Sequence, residues 1–448
     1  MKDLTTGKEG RLIFNFAIPM LLGNVFQQLY NVADSIIVGK YIGKEALAAV
    51  GSSFPIIFTL ISLTIGIGTG GTIVIAQYFG AKDIRNVRKA IDTFYIFFFF
   101  AAIAVTVLGI LMSEPIFRLI ELPEDVIPLA RLYLIIYFSG IIFSFGFNTT
   151  TAILRGLGDS KTPLYFLVFS TIINIILDLL FILVFKWGIA GAAWATVISM
   201  AVAFLASVIY LNRRHELINL SYRKMYFDWD IFRKGLRIGF PVGFQQAFVA
   251  LSFLAMYWIV NPFGTDASAA YSVGMRIDSF ASMPAMNFAM ALATFVGQNL
   301  GANKPDRVRA GFHSTLRMTF LISIGMTIIT ILFRNDLVHL FTNDENVIRI
   351  GAGYLLIVSS FYVLFTSMFV IGGVMRGSGD TLIPMFITLF TLWLVRVPAS
   401  YWFSQHFGIS GIWWGMPVAW FLGVVMQYSY YLTGRWKKKS IVRYPAGD

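Results

Sequence analysis

Hydrophobic residues in this chain fall in long unbroken runs, not in strict alternation or a one-sided stripe. Runs such as 94–112 and 163–185 are apolar on every face. Each is long enough to cross a bilayer core, which takes roughly 20 residues of helix. Backbone groups in lipid must pair within their own segment, so the spans are expected to be helical. A β-barrel would alternate polar and apolar positions, which these runs do not. Twelve spans are expected, near 12–38, 46–76, 91–112, 128–152, 162–185, 189–212, 238–260, 268–296, 312–333, 350–373, 383–405 and 409–433. The first is too long for a signal peptide and lacks a small-residue cleavage site, so it is read as the first helix. The predicted fold class is an all-α integral membrane protein of twelve transmembrane helices.

Composition agrees with this. The 448 residues are 57% hydrophobic and 13% charged. That is half of the roughly 25% charge usual in soluble domains. Cysteine is absent, so no disulfide forms. A net charge of +12 would suggest nucleic acid as a partner of a soluble protein. Here the positions of Lys and Arg explain it without one. Loops 80–89, 212–237 and 301–309 and the tail 435–443 are basic, whereas 113–127 and 334–347 are net acidic. The positive-inside rule then puts both termini and the long central loop in the cytoplasm. The expected organisation is a first six-helix lobe over 1–211, a linker over 212–237, a second lobe over 238–434 and a basic tail over 435–448.

Short patterns recur at a constant step. Gln77-Tyr-Phe-Gly80-Ala returns as Gln298-Asn-Leu-Gly301-Ala, 221 residues later. Arg155-Gly-Leu-Gly-Asp159 returns as Arg376-Gly-Ser-Gly-Asp380, and Pro163 as Pro384, by the same step of 221. Four motifs close to register indicate a duplication, the fourth being Gly188-Ile-Ala-Gly191 with Gly408-Ile-Ser-Gly411. Six spans per copy bring both copies in the same way up. The two bundles are then related by a pseudo-twofold along the membrane normal, the architecture of transporters that work by alternating access. The Gly-rich motifs fit tight turns after the fourth span of each copy, with Asp159 capping the next helix and Pro163 in its first turn.

Ionisable residues inside a membrane cost at least about 2.5 kcal/mol and mark function by default. Asp34 lies on the first span, Asp178 on the fifth with Asn174 one turn before it, and Thr196 on the sixth. Asp34, Asp178 and Thr196 sit roughly 7–11 Å below the outer boundary, at about 1.5 Å per residue. Two carboxylates, an amide and a hydroxyl at one depth suit a proton or a hard cation such as Na+ bound by oxygen alone. By the constant step, Asn174 and Asp178 correspond to Val395 and Ala399 in the second copy. That copy instead carries Arg276, Asp278 and Arg396, expected either as a neutralised ion-pair cluster or as a cavity where Asp278 meets cationic cargo. Pro19 is expected to bend the first helix below Asp34, and Pro55 and Pro284 to bend theirs. Met283, Met286 and Met290 lie near one face of the eighth span, suited to varied apolar cargo or to packing. No Walker loop, metal cluster or catalytic triad is found. The chain is therefore expected not to be an enzyme and to need no cofactor, with an ion gradient as its energy source.

Together these residues resemble the multidrug and toxic compound extrusion (MATE) family, in its bacterial DinF-like branch, over essentially the whole chain. The resemblance rests on Ala17-Ile-Pro19, Asp34, the two Gln-x-x-Gly-Ala and two Arg-Gly-x-Gly-Asp stretches, and Asn174 with Asp178. It implies export of amphipathic organic cations in exchange for H+ or Na+. It also implies that Asp34, Asn174, Asp178 and Thr196 match the family's cation site. The NorM-like branch has acidic residues in the second lobe too, which this chain lacks on its seventh span. A lipid-linked oligosaccharide flippase of the same superfamily is the alternative. A major-facilitator transporter would carry an Asp-Arg-rich loop after its second span, and Gly80-Ala-Lys-Asp-Ile-Arg does not match. The expected partners are the lipid bilayer and small organic cations, and the chain is expected to act as a monomer.

Overall fold

The computed structural model describes residues 2–120, 122–214 and 225–442. Residues 215–224 of the expected linker and 443–448 of the expected tail lie outside the described residues. Ten helices are long and apolar enough to cross a membrane, and two bent helix pairs bring the count of spans to twelve among the described residues. The outward faces carry Phe100, Leu111, Trp258 and Leu321, all exposed, as side chains meeting lipid do.

The chain forms two compact units, residues 1–3 with 18–240 and residues 4–17 with 241–448. The first unit contains most of α1 (Glu9–Tyr41), then α2 (Lys44–Gly80), α3 (Ile84–Leu119), α4 (Ile127–Ser139), α5 (Ile141–Gly156), α6 (Lys161–Leu179) and α7 (Ile189–Arg214). The second contains most of α8 (Trp229–Val260), then α9 (Thr265–Gly301), α10 (Pro305–Leu332), α11 (Arg334–His339), α12 (Glu345–Ser359), α13 (Tyr362–Ser378), α14 (Leu382–Leu389), α15 (Val397–Phe407) and α16 (Ile409–Leu432).

The division differs from the expected lobes at the start of the chain. Residues 4–17 pack in the second unit, not the first. Leu4, fully buried, donates its N–H to Gln298 at 2.9 Å, and Asn299 donates to the Leu4 carbonyl at 3.2 Å. Lys304 and Arg307 bond the carbonyls of Thr5 and Gly7, and Arg307 pairs with Glu9 at 2.7 Å. Conversely, the start of α8 packs in the first unit. Lys89 pairs with Asp228 at 3.0 Å, and the Asp228 N–H bonds Thr93 at 3.0 Å. Hydropathy locates a span but carries no information on which bundle holds its polar end. The change of unit falls at Ile18 in α1 and at Pro241 in α8, beside or at the prolines Pro19 and Pro241 within those helices.

Each recurring motif has a structural reason. Gly156 and Gly377 are not turn residues but helical contact points. A Cβ on Gly156 would sit 2.9 Å from the Thr72 carbonyl, and one on Gly377 would press into the Ala293 carbonyl and Val296. The turn is made by Gly158 and Gly379, at φ of 80° and 91°, a region side chains avoid. Asp159 then accepts from the N–H and the hydroxyl of Thr162, capping α6 as expected.

Two features were not visible in the hydrophobic pattern. The fourth span of each copy is broken, by 51° between α4 and α5 and by 49° between α12 and α13. The breaks, at Gly140 and at residues 360–361, fall at equivalent places. Short π-helical segments also interrupt the fifth span of each copy, at Leu180–Val184 and Phe390–Arg396, and these are not at equivalent places.

Gly377→Val is expected to force α9 and α13 apart and cost about 1–3 kcal/mol, the usual penalty of overpacking. A lowered melting temperature of the purified protein in detergent is the measurement. An unchanged one would show that the close approach is not needed.

Candidate functional site

In the first unit, α1, α6 and α7 bring the four expected polar residues inward. Asp34 and Thr196 are nearly fully buried, and Asn174 and Asp178 are fully buried at 0% exposure. The carboxyl groups of Asp34 and Asp178 lie within hydrogen-bonding reach of each other. Thr196 donates to the Ala192 carbonyl one turn back at 3.1 Å and shares a 3.1 Å contact with the Tyr30 hydroxyl. Tyr30 stands one turn before Asp34, so α1 meets α7 and α6 through successive turns. The Asp34–Asp178 contact and the Tyr30–Thr196 contact thus join one cluster.

What distinguishes this cluster is its unpaired atoms. Among the described residues, both polar atoms of the Asn174 amide have no hydrogen-bond partner, and Asp34 Oδ1 and both Asp178 oxygens have none beyond the facing carboxyl. Native interiors leave few such groups, because each costs about 1–3 kcal/mol. Side chains held only for packing would be paired off. A carboxyl pair in contact shares one proton, and the same oxygens with the Asn174 carbonyl and the Thr196 hydroxyl make an all-oxygen set for a hard cation. Among the described residues no group of three His, Cys, Asp or Glu could hold a resident metal.

Tyrosines complete the surroundings. Tyr133 on α4 is buried and interacts electrostatically with Asp34 and Asp178, as Tyr30 does. Tyr133 was not expected, although the signal existed: Tyr354 lies 221 residues later, on the repeat's own step.

The second unit is built differently. Asp278 on α9 accepts hydrogen bonds from Tyr354 on α12 and Tyr362 on α13, one to each carboxyl oxygen. Eight residues of straight helix rise about 12 Å. The 49° break between α12 and α13 is what allows both hydroxyls to meet one carboxyl. Arg396 is 4% exposed, lies 5.5 Å from the Phe253 ring and reaches the Tyr271 hydroxyl at 3.5 Å. Tyr271 and Tyr354 both pack on Trp413, at ring distances of 5.8 and 5.0 Å. Arg276 is exposed. The ion-pair cluster expected of Arg276, Asp278 and Arg396 is therefore replaced by tyrosines and rings. Met283 and Met290 are half-buried and Met286 exposed, on a different face of α9 from Asp278, Ser282 and Ala285. Pro19 is buried within α1, where its ring leaves the Asn15 carbonyl without its helical donor.

The correspondence between the two fifth spans also shifts. In the first unit the buried positions are Ser170, Asn174 and Asp178. In the second they are Thr391, Arg396 and Ser400, while Val395 and Ala399 are only half-buried. The π-helical segment Phe390–Arg396 holds an extra residue per turn, which rotates everything beyond it. Arg396 and Ser400, not Val395 and Ala399, therefore face inward where Asn174 and Asp178 do.

The sequence matches the MatE family model twice in tandem, over residues 19–180 and 241–402. It is 36% identical over 439 residues to a Bacillus subtilis protein called probable multidrug resistance protein YoeA, covering 96% of this chain and 94% of that one. It is 33% identical over 435 residues to probable multidrug resistance protein YpnP of the same organism, covering 97% of each. Its fold superposes with a TM-score of 0.91, at 24% identity and over 98% of this chain and 99% of the other, on a structure described as the outward-facing conformation of a multidrug resistance MATE family transporter of the MOP superfamily. The all-α membrane architecture of up to twelve spans in two units has the fold of that structure. The chain belongs to the MatE family, the MATE transporters.

Unpaired polar atoms in a protein interior weaken it. Replacing Asn174, whose amide has no partner, by Leu is expected to raise the thermal stability of the purified protein by about 1–3 kcal/mol, the cost of an unsatisfied buried polar group. Melting curves in detergent check this. A fall in stability would mean that the polar atoms are satisfied in place.

Proposed function

We propose that this protein exports amphipathic organic cations across the bacterial inner membrane in exchange for H+ or Na+, by alternating access. The observation that carries the proposal is the buried Asp34–Asp178 pair with the unpartnered Asn174 amide beside it. The pair accepts a proton or, with Thr196 and Asn174, a sodium ion, and releases it when the site opens to the other side. A group that binds and releases the driving ion has to stay incompletely satisfied by the protein, and this one does. The names of the Bacillus subtilis relatives, both probable multidrug resistance proteins, fit this cargo class.

The acidic cluster on the first unit also supports a place in the DinF-like branch. Pro19, where α1 lacks one backbone bond, is the bend point that would link the state of Asp34 to the helix. Exposed Arg276 and Met286, half-buried Met283, and Asp278 with Arg396 supply the second unit's contribution to the cargo route. The basic loops support cytoplasmic termini. One chain carries both units, so a monomer suffices.

Dye-loaded proteoliposomes test the reading. Under an imposed pH gradient or an imposed sodium gradient, the wild type is expected to export a fluorescent organic cation under one of the two. Asp34→Asn and Asp178→Asn keep the shape and remove the charge. Each is expected to slow export by at least about tenfold, equivalent to about 1.4 kcal/mol. Undiminished export by both variants would remove these residues from coupling.

A further inference from the structure

We infer that the second unit binds one anionic phospholipid, with a hydroxyl-bearing headgroup such as glycerol, in the groove between α11 and α12, its phosphate held by Arg334 and Arg349. The groove measures about 470 Å³. It lies where α10 ends and α12 begins, at the other end of α10 from the basic loop 301–309. One end of the groove is charged and is lined by Arg334, Glu345 and Arg349. The rest is apolar, with Ala352, Gly353 and Leu356 following Arg349 on the same face of α12 at helical spacing. Leu356 stands seven residues beyond Arg349, about 10 Å along the helix. α12 opens a membrane span, so this line leads from headgroup depth into the acyl region. A charged mouth on an apolar channel matches the two-part chemistry of a phospholipid. Arginine suits such a border, because its stem lies on apolar surface while its head reaches the interface.

The charges choose the headgroup. Among the described residues no carboxylate lies within the 4.0 Å of an ion pair from Arg334 or Arg349. Arg334 gives one N–H to the Ile331 carbonyl at 2.9 Å, and Arg349 gives one to the Asn346 side-chain oxygen at 3.2 Å. A guanidinium has five donors, in a fork that fits phosphate in pairs, so most remain for a guest. The neighbouring Asp344 is committed to the start of α12, where it accepts from the N–H groups of Asn346 and Val347. Arg334 and Arg349 against Glu345 leave one net positive charge, which a lipid of single negative charge balances. Glu345 is exposed at the mouth and supplies an acceptor for headgroup hydroxyls.

The first unit satisfies the same place from within. There Glu114 pairs with Arg118 at 2.9 Å and with Arg131 at 3.1 Å. By the constant step of 221, Glu114 corresponds to Asn335, Arg131 to Ala352 and Leu132 to Gly353. The second unit has thus lost the carboxylate that would neutralise arginines there and the side chains that would fill the groove. A Cβ on Gly353 would meet nothing within 4 Å. Charge without a partner and space without a side chain occur together, in one copy of the duplication only.

Native mass spectrometry of the purified full-length protein tests this, with a melting curve for each variant. Dioleoylphosphatidylglycerol, dioleoylphosphatidylethanolamine and dioleoylphosphatidylcholine are titrated separately. One phosphatidylglycerol per chain is expected to bind about tenfold more tightly than either zwitterionic lipid. Arg334→Gln combined with Arg349→Gln is expected to weaken it about thirtyfold, which corresponds to about 2 kcal/mol. Gly353→Leu keeps both charges and fills the apolar part, and is expected to weaken it about tenfold. Arg118→Gln combined with Arg131→Gln, in the first unit, is expected to change nothing. Equal retention of the three lipids, or equal retention of phosphatidylglycerol by wild type and both second-unit variants, overturns the inference. So does displacement of the lipid by inorganic phosphate at equal concentration, or a protein dimer in its place that the double arginine variant dissolves. If the double variant does not fold, Gly353→Leu decides.

Discussion

Inside a lipid slab, a polar atom must be paired by the protein itself, and most of this molecule can be understood as solutions to that demand. The backbone solves it by helix formation. Hydroxyls solve it by donating to the preceding turn, as Thr149 does to Phe145 at 2.7 Å and Thr315 to Gly311 at 2.8 Å. Asp278 solves it with two tyrosines, and Arg396 solves it only in part, with a ring and a distant hydroxyl while its Nε has no partner. Asn174 and Asp178 do not solve it. In a membrane such exceptions are expensive, and their concentration in one cluster is the physical basis of the proposal that the driving ion binds there.

The duplication supplies a common frame in which those exceptions stand out. Gly156 and Gly377 set the same close approach of helices, Gly158 and Gly379 the same turn, and the broken fourth spans the same bend. Even Tyr133 and Tyr354 occupy corresponding positions, yet one stands near Asp34 and Asp178 and the other bonds Asp278. The frame is shared while the charge it surrounds has moved from α1 and α6 to α9.

Much of this was legible in the sequence. Long apolar runs gave the number of spans, because span length is set by bilayer thickness. The constant step gave the duplication, and Asp159 its capping role. Matched depth brought Asp34, Asp178 and Thr196 together, and the helical turn added Asn174. Other features left no trace in hydropathy. A run that is apolar on every face has no periodicity from which a break at Gly140 or a π-helical segment could be read. The partners of Asp278 lie 76 and 84 residues away, beyond any local pattern. The seating of residues 4–17 in the second unit depends on polar contacts of a turn between α9 and α10, which a span map ignores.

The displaced π-helical segment has a consequence for anyone comparing the halves. Aligned letter by letter, Ala399 is the partner of Asp178; aligned by which side of the helix is covered, the partner is Ser400. A carboxylate grafted at Ala399 would emerge on the flank of the helix, and one grafted at Ser400 would enter the interior. The π-helical segment has thus re-aimed the outer part of a span without lengthening its loops. A duplicated gene can in this way change what its second copy presents to the interior while conserving nearly every turn around it.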